Sequence, residues 1–299
     1  MTVPLVSVVI PTYNGGALLR AAVDSVLAQD YFAPIEVVVV DDGSTQPVEP
    51  LPADLGTRVV RLIRQPNAGT AAARNRGISA ARGEYVAFLD HDDLWDADKL
   101  SRQIPKFSES EIALVHAGAR FVDTTGEVTS LLPGEPGLDV HDLLADCRVA
   151  VQTAVVRRTV FDEIGMFDES LSAADDWDMW IRIADRYRVT AIPEPLATIR
   201  VHPGNQSRDA ELMYGAARRL LAKHAQLHGP CEHCRVARHT ADVASRRAYY
   251  ERLREQARAA GASGDRAGAV RLTARALRRN PRALVTTPAH HLRRLRRGR

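Results

Sequence analysis

One pattern recurs three times within the first 93 residues: a short run of β-formers that stops abruptly on polar side chains. Val6–Ile10 runs into Pro11, Thr12, Tyr13 and Asn14; Ile35–Val40 runs into Asp41, Asp42, Gly43, Ser44 and Thr45; Glu84–Leu89 runs into Asp90, His91, Asp92 and Asp93. Between the runs the apolar spacing turns helical, through Leu18, Leu19, Ala22, Val23, Val26 and Leu27, and again in the Ala-rich stretch from Thr70 to Ala81. Strands alternating with helices predict a parallel α/β sheet. The near-continuous valine and isoleucine fit, because parallel strands are buried on both faces. Ligands of such sheets bind beyond the carboxyl ends of the strands. That is where the three polar clusters fall. Neither G-x-G-x-x-G nor G-x-x-x-x-G-K-[ST] occurs, so neither a dinucleotide fingerprint nor a P-loop is supported.

Further along, Glu111–His116 and Val151–Val156 read as strands and Asp175–Tyr187 as a helix, with Pro193 and Pro195 expected to break the strand after it. Beyond about Ala210 the chain is rich in Ala, Arg and Leu and reads as helices, broken near Gly229–Pro230, Gly261–Gly264 and Pro281. Ala257–Pro281 resembles one tetratricopeptide-like helix pair. Two domains are expected: an α/β domain over 1–212 and a helical region over 213–299.

A content of 45% hydrophobic and 26% charged residues is ordinary for a globular chain and excludes a disordered or collagen-like one. Three cysteines exclude a disulfide-dense scaffold. The longest apolar stretches are strand-sized, and the N-terminus has no basic region followed by a cleavage site, so neither a membrane span nor a signal peptide is expected. A soluble cytoplasmic protein is the expectation. Residues 266–299 carry eleven arginines and no acid; subtracting them from the formal net charge of +3 leaves −8 for residues 1–265. The tail reads as the solvated face of amphipathic helices, as a dock on anionic lipid, or as a nucleic-acid contact.

Four constellations carry chemistry. The first, Asp90-His91-Asp92-Asp93, offers hard oxygen ligands for Mg²⁺ or Mn²⁺, or is an acidic turn in which Asp93 or Asp96 caps the next helix. Asp41-Asp42, expected on a neighbouring parallel strand, favours a nucleotide–metal site. In Ala174-Asp175-Asp176-Trp177-Asp178-Met179-Trp180, the acids either cap a helix or hold a general base beside a tryptophan-lined pocket. The inward face of that helix would carry Trp177, Trp180, Ile181 and Ala184. In Arg200-Val201-His202-Pro203, His202 is a surface loop residue unless the fold returns it to the acidic strand ends, where an imidazole could complete a metal shell. Finally, His228-Gly229-Pro230-Cys231-Glu232-His233-Cys234, with His239 beyond, fits a structural Zn²⁺ site, a redox pair or a plain helix–helix turn.

Taken in order, V-S-V-V-I-P-T-Y-N (6–14), V-V-V-D-D-G-S-T (38–45), N-A-G-T-A-A-A-R-N-R-G (67–77), F-L-D-H-D-D-L-W (88–95) and G-M-F-D-E-S-L-S-A-A-D-D-W-D-M-W-I-R (165–182) resemble glycosyltransferase family 2, the inverting nucleotide-sugar transferases of GT-A fold. The likeness covers roughly residues 4–210. It implies a Rossmann-like, mostly parallel α/β sheet flanked by helices, with a helical C-terminal extension. By the same resemblance, Pro11, Thr12 and Tyr13 line the nucleoside, Asp41 and Asp42 hold its base, Arg74 lies beside it and Asp90 lies near the ribose. Asp92 ligates Mn²⁺ or Mg²⁺, and His202 adds a metal or pyrophosphate contact. Asp176 is the catalytic base, with Asp175 standing where a glutamate is commoner. The implied partners are a nucleotide-sugar donor, a UDP-sugar being favoured, and a saccharide or lipid-linked acceptor. The family's envelope substrates place docking at the inner face of the plasma membrane ahead of nucleic acid for the tail. The competing reading is a non-catalytic nucleotide-sugar-binding protein of the same fold.

Overall fold

The computed structural model describes residues 4–52 and 54–279. The chain forms two compact units divided between Pro203 and Gly204, where the sequence puts the boundary at 212–213.

The first unit is built on a nine-stranded sheet. Its first four strands, β1 (Val6–Thr12), β2 (Ile35–Asp42), β3 (Arg58–Gln65) and β4 (Tyr85–Phe88), form a parallel block in the order β3-β2-β1-β4. Helices α1 (Gly16–Leu27) and α2 (Thr70–Ala80) supply the crossovers. Every residue of β1 and β2 is buried, as the continuous apolar runs predict. Past β4 the sheet becomes mixed, continuing through β8 (Val155–Arg157), β6 (Ile112–Val122), β9 (Arg188–Arg200) and β5 (Leu94–Trp95), with β7 (Val128–Leu132) paired to β6. Short helices α3 (Lys99–Gln103), α4 (Val140–Ala145) and α5 (Thr159–Ile164) and the longer α6 (Asp175–Ala184) complete the unit. On α6, Trp180 and Ile181 are fully buried while Trp177 and Ala184 are half-buried.

Three expectations need correction. Pro193 and Pro195 do not interrupt a strand: β9 runs through both. The register against β6 shifts between Ala117 and Ala119, so the prolines sit at an irregularity where a missing N–H donor breaks no ladder bond. Residues 151–156 are only partly strand, with a 3₁₀ turn over Val151–Thr153. There the carbonyls of Val149, Gln152 and Thr153 accept from the side chains of Trp180, Trp95 and Gln103 rather than from a neighbouring strand. Finally, Asp41-Asp42 and the acidic loop are not on adjacent strands, because β1 lies between β2 and β4.

In the second unit, α7 (Ala210–Lys223), α8 (Glu232–Ala262) and α9 (Arg266–Arg279) pack around Ala210, Tyr214, Tyr249, Leu253 and Ala276. The breaks fall near Gly229–Pro230 and Gly261–Gly264 as expected. Asp209 caps α7 by accepting from the Leu212 N–H at 3.0 Å. Of the basic tail, Arg266, Arg271, Arg275, Arg278 and Arg279 belong to α9, while the six arginines from Arg282 onward lie outside the described residues. No helix among the described residues is long and apolar enough to cross a membrane.

Candidate active site

The three carboxylates after β4 look alike in sequence, and the fold gives each a different partner. Asp90 accepts from Arg74 Nη2 at 2.8 Å and from Gln152 Nε2 at 2.9 Å. Asp93 is 1% exposed and accepts from the same Gln152 amide at 2.6 Å and from the Arg200 N–H at 2.8 Å. Burial, then the charges of Asp90 and Asp92, push the Asp93 carboxyl well above the ordinary aspartate range, against the pull of those two bonds. Asp92 Oδ2 lies 2.9 Å from His202 Nε2, and the Arg200 guanidinium donates to the Asp92 carbonyl at 3.1 Å. Neither Asp93 nor Asp96 caps a helix; Asp96 takes both forks of Arg120 at 2.6 and 2.8 Å. The loop after β9 thus returns to the acidic strand end, the condition under which His202 matters.

Arg74 reaches this loop from α2. It is nearly fully buried, with its second amino group donating to Asp175 Oδ2 at 2.7 Å. Burial opposes its charge, but Asp90, Asp175 and Asp176 more than offset that and hold the guanidinium protonated. The sequence reading puts Arg74 beside the nucleoside; the structure shows its two amino groups tying the acidic loop to the first turn of α6. Asp176, next in that turn, is half-buried and accepts from the Trp177 N–H at 2.8 Å. Its pKa is raised to about 7, first by burial and then by the Asp175 charge, with Arg74 opposing. The indoles of Trp177 and Trp180 are anchored on the carbonyls of Leu143 and Val149, which fixes the helix against the chain before it. Cys147 lies in that chain, its thiol pushed well up by burial and then by the Asp176 charge.

The first two strand ends meet through Asn14, whose N–H donates to Ser44 Oγ at 2.8 Å and whose Oδ1 accepts from the Thr45 N–H at 2.9 Å. Pro11 and Thr12 are buried and Tyr13 is 45% exposed. Thr12 Oγ1 is buried without a hydrogen-bond partner. A Cβ on Gly15 would come within 2.4 Å of that oxygen and 3.0 Å of His91 Cδ2, so the turn after β1 lies tight against the acidic loop. Asp41 accepts from the Ser44 N–H at 2.9 Å. Asp42 accepts from Gln65 Nε2 and from the Ala68 and Gly69 N–H groups at 2.8–2.9 Å, holding the segment that leads into α2.

The structure therefore ties Asp90, Arg74 and Asp175 together by direct bonds, with Asp176 next to Asp175, and pairs Asp92 with His202; Asp41 is held at the turn that Asn14 and Ser44 close, while Asp42 holds the segment leading into α2. Gln152 and the Arg200 backbone are not singled out by the sequence, and Asp93 reads there only as part of the acidic run or as a helix cap.

The arrangement has clear relatives. The family model "Glycosyl transferase family 2" matches residues 7–165. An uncharacterised glycosyltransferase of Rickettsia typhi is 31% identical over 240 residues, covering 74% of this chain and 73% of the relative. The Escherichia coli UDP-Glc:α-D-GlcNAc-diphosphoundecaprenol β-1,3-glucosyltransferase WfgD is 29% identical over 189 residues, covering 63% of this chain and 73% of that protein. Among solved structures, the Pyrobaculum calidifontis mannosyltransferase PcManGT, in complex with GDP-Man and Mn²⁺, superposes with a TM-score of 0.63 at 23% identity, over 96% of this chain and 84% of its own. Staphylococcus aureus TarS 1-349 with UDP-GlcNAc gives 0.60 at 19% identity, over 83% and 71%. With the family model covering more than half its length, on a GT-A-like α/β fold, the chain belongs to glycosyltransferase family 2 and is a nucleotide-sugar glycosyltransferase.

Proposed function

We propose that the chain transfers a sugar from a nucleoside-diphosphate donor, a UDP-sugar by preference, to a hydroxyl of a saccharide or lipid-linked acceptor, with inversion and with Asp176 as general base. The observation that carries the choice of base is the pairing of Arg74 with Asp175. Asp175 Oδ2 is taken up by the buried guanidinium donor, which competes with an acceptor hydroxyl for it. Asp176 is left beside it, half-buried, with a proton affinity near neutrality, where a general base works best. Asp176 takes the acceptor hydroxyl's proton as that oxygen attacks the anomeric carbon. The bond from that carbon to the diphosphate breaks, and its electron pair leaves on the phosphate oxygen. One displacement without an enzyme nucleophile turns an α-linked donor into a β-glycoside.

Pro11, Thr12, Tyr13, Asp41 and Asp42 are the proposed nucleoside subsite, with Arg74 and Asp90 at its inner edge. The unpartnered Thr12 hydroxyl is a polar group that a ligand could engage. The Asp92 carboxylate and His202 imidazole, 2.9 Å apart, are a donor pair that suits Mn²⁺ or Mg²⁺. A bound divalent ion would offset the charge growing on the departing diphosphate. The relatives support this substrate class: WfgD is named for a UDP-Glc donor and a diphosphoundecaprenol-linked acceptor, and PcManGT is held with GDP-Man and Mn²⁺.

A thermal-shift panel of UDP-, GDP- and dTDP-sugars, with and without Mn²⁺, tests donor and metal together. Against the donor so found, Asp176→Asn should retain the shift and lose transfer by about 10²- to 10⁴-fold. Wild-type turnover in that variant would move the base elsewhere.

A further inference from the structure

The α7–α8 turn holds a group of ligands unrelated to sugar transfer. We propose that His228, Cys231 and Cys234 form a zinc site that clips this turn. The ligand atoms of all three lie within 4.8 Å of one another. Cys234 Sγ is 3.4 Å from His228 Nδ1. One tetrahedral zinc, with sulfur at about 2.3 Å and nitrogen at about 2.0 Å, places such a pair about 3.6 Å apart. That separation is close to the one two ligands of a single ion would have, and it also suits an S–H···N hydrogen bond in the metal-free chain.

The backbone has the conformation that such a site needs. His228 and Gly229 both sit at φ +54°, a left-handed pair that reverses the chain and brings the imidazole back over the start of α8. The Cys231 N–H donates to the His228 carbonyl at 3.2 Å, closing the turn. Cys231 then stands at the N-cap of α8, and its sulfur accepts from the Cys234 N–H at 3.5 Å. A helix N-terminus and a donated N–H both favour the thiolate over the thiol, which is the form that binds metal. Neither cysteine is in a disulfide. His233 and His239, counted as candidates from the sequence, are not among the clustered ligand atoms.

Two sulfurs and an imidazole select a soft or borderline ion, so zinc fits where Mn²⁺ or Mg²⁺ would not. The three ligands leave a fourth tetrahedral position to water or a further side chain. The site stands independently of the glycosyl-transfer assignment. Its role would be structural, since it lies on the turn between two helices.

The test is metal analysis of the full chain purified without added metal, with Cys231→Ser, Cys234→Ser and Cys147→Ser in parallel. About one zinc per wild-type chain is expected, retained in Cys147→Ser and falling below about a tenth in the other two. Because a serine variant could lose metal by misfolding, wild-type protein stripped of metal is also titrated with Co²⁺. Thiolate-to-cobalt charge-transfer absorption with the d–d bands of a tetrahedral ion supports the site. Metal-free protein with no such absorption overturns it. A wild-type chain two hydrogens lighter under non-reducing conditions also overturns it, in favour of a Cys231–Cys234 redox pair.

Discussion

As the proposed general base, Asp176 must be ionised before it can accept a proton, so on that assignment its environment sets the working pH. With burial and Asp175 raising its pKa to about 7, kcat/KM should climb with pH through that value and fall roughly tenfold per unit below it. A pH–rate profile checks this; an acid limb near the ordinary 3.8 would point to a different group. Lys99 shows the opposite case of a buried charge. Its ammonium is wholly buried, has no hydrogen-bond acceptor and sits 4.0 Å from the Trp95 ring centre, and burial pushes its pKa well below 10.5. Lys99→Met keeps the apolar stem and removes the desolvated amine, so stability should rise by about 1 kcal/mol or more. Between the lowered folded pKa and 10.5 the unfolded chain binds the extra proton, so this lysine makes stability increase with pH. Urea titrations at several pH values should show that part of the slope vanish in Lys99→Met.

At the scale of elements, the close fit of α2 on β1 is set by one residue. A Cβ on Gly77 would come within 2.3 Å of Val9 Cγ1. Gly77→Ala should therefore destabilise the fold by about 1–3 kcal/mol and displace Arg74 one turn earlier, lowering transfer as well. Val9→Ala in the same chain should restore much of both, read by chemical denaturation and turnover. The elements that sequence made legible are those whose own residues decide them: β1, β2 and β4 by unbroken apolar runs, α1 and α2 by helical spacing. It was silent where distant partners decide. The register shift that lets β9 pass Pro193 and Pro195 depends on β6, and the turn at Val151–Thr153 depends on Trp95, Gln103 and Trp180. The site divides the same way. Asp90, Asp92 and Asp93 were visible as acids, but what distinguishes Asp92 is His202, 110 positions away. Gln152 lies in no motif, and its amide became meaningful only when the fold set it between Asp90 and Asp93.

Across the whole molecule, charge is divided as the structure is. Residues 1–203 hold 18 Lys plus Arg against 30 Asp plus Glu, a net −12, while residues 204–299 hold 22 against 7, a net +15. The zinc proposal and the transfer reading rest on different units, so each can fail without the other. Inside the first unit, Arg74 joins Asp90, 16 positions on, to Asp175, 101 positions on. A guanidinium shared by two carboxylates makes the acidic loop and the first turn of α6 energetically interdependent. When either acid is neutralised, the survivor inherits the whole cation. A double-mutant cycle on Asp90→Asn and Asp175→Asn should then fail to sum, by about 0.5–3 kcal/mol. Simple additivity would mean that Arg74 serves each separately. Epistasis of that kind would bind the history of this site together: a substitution tolerated at one end resets which substitutions the other end can accept.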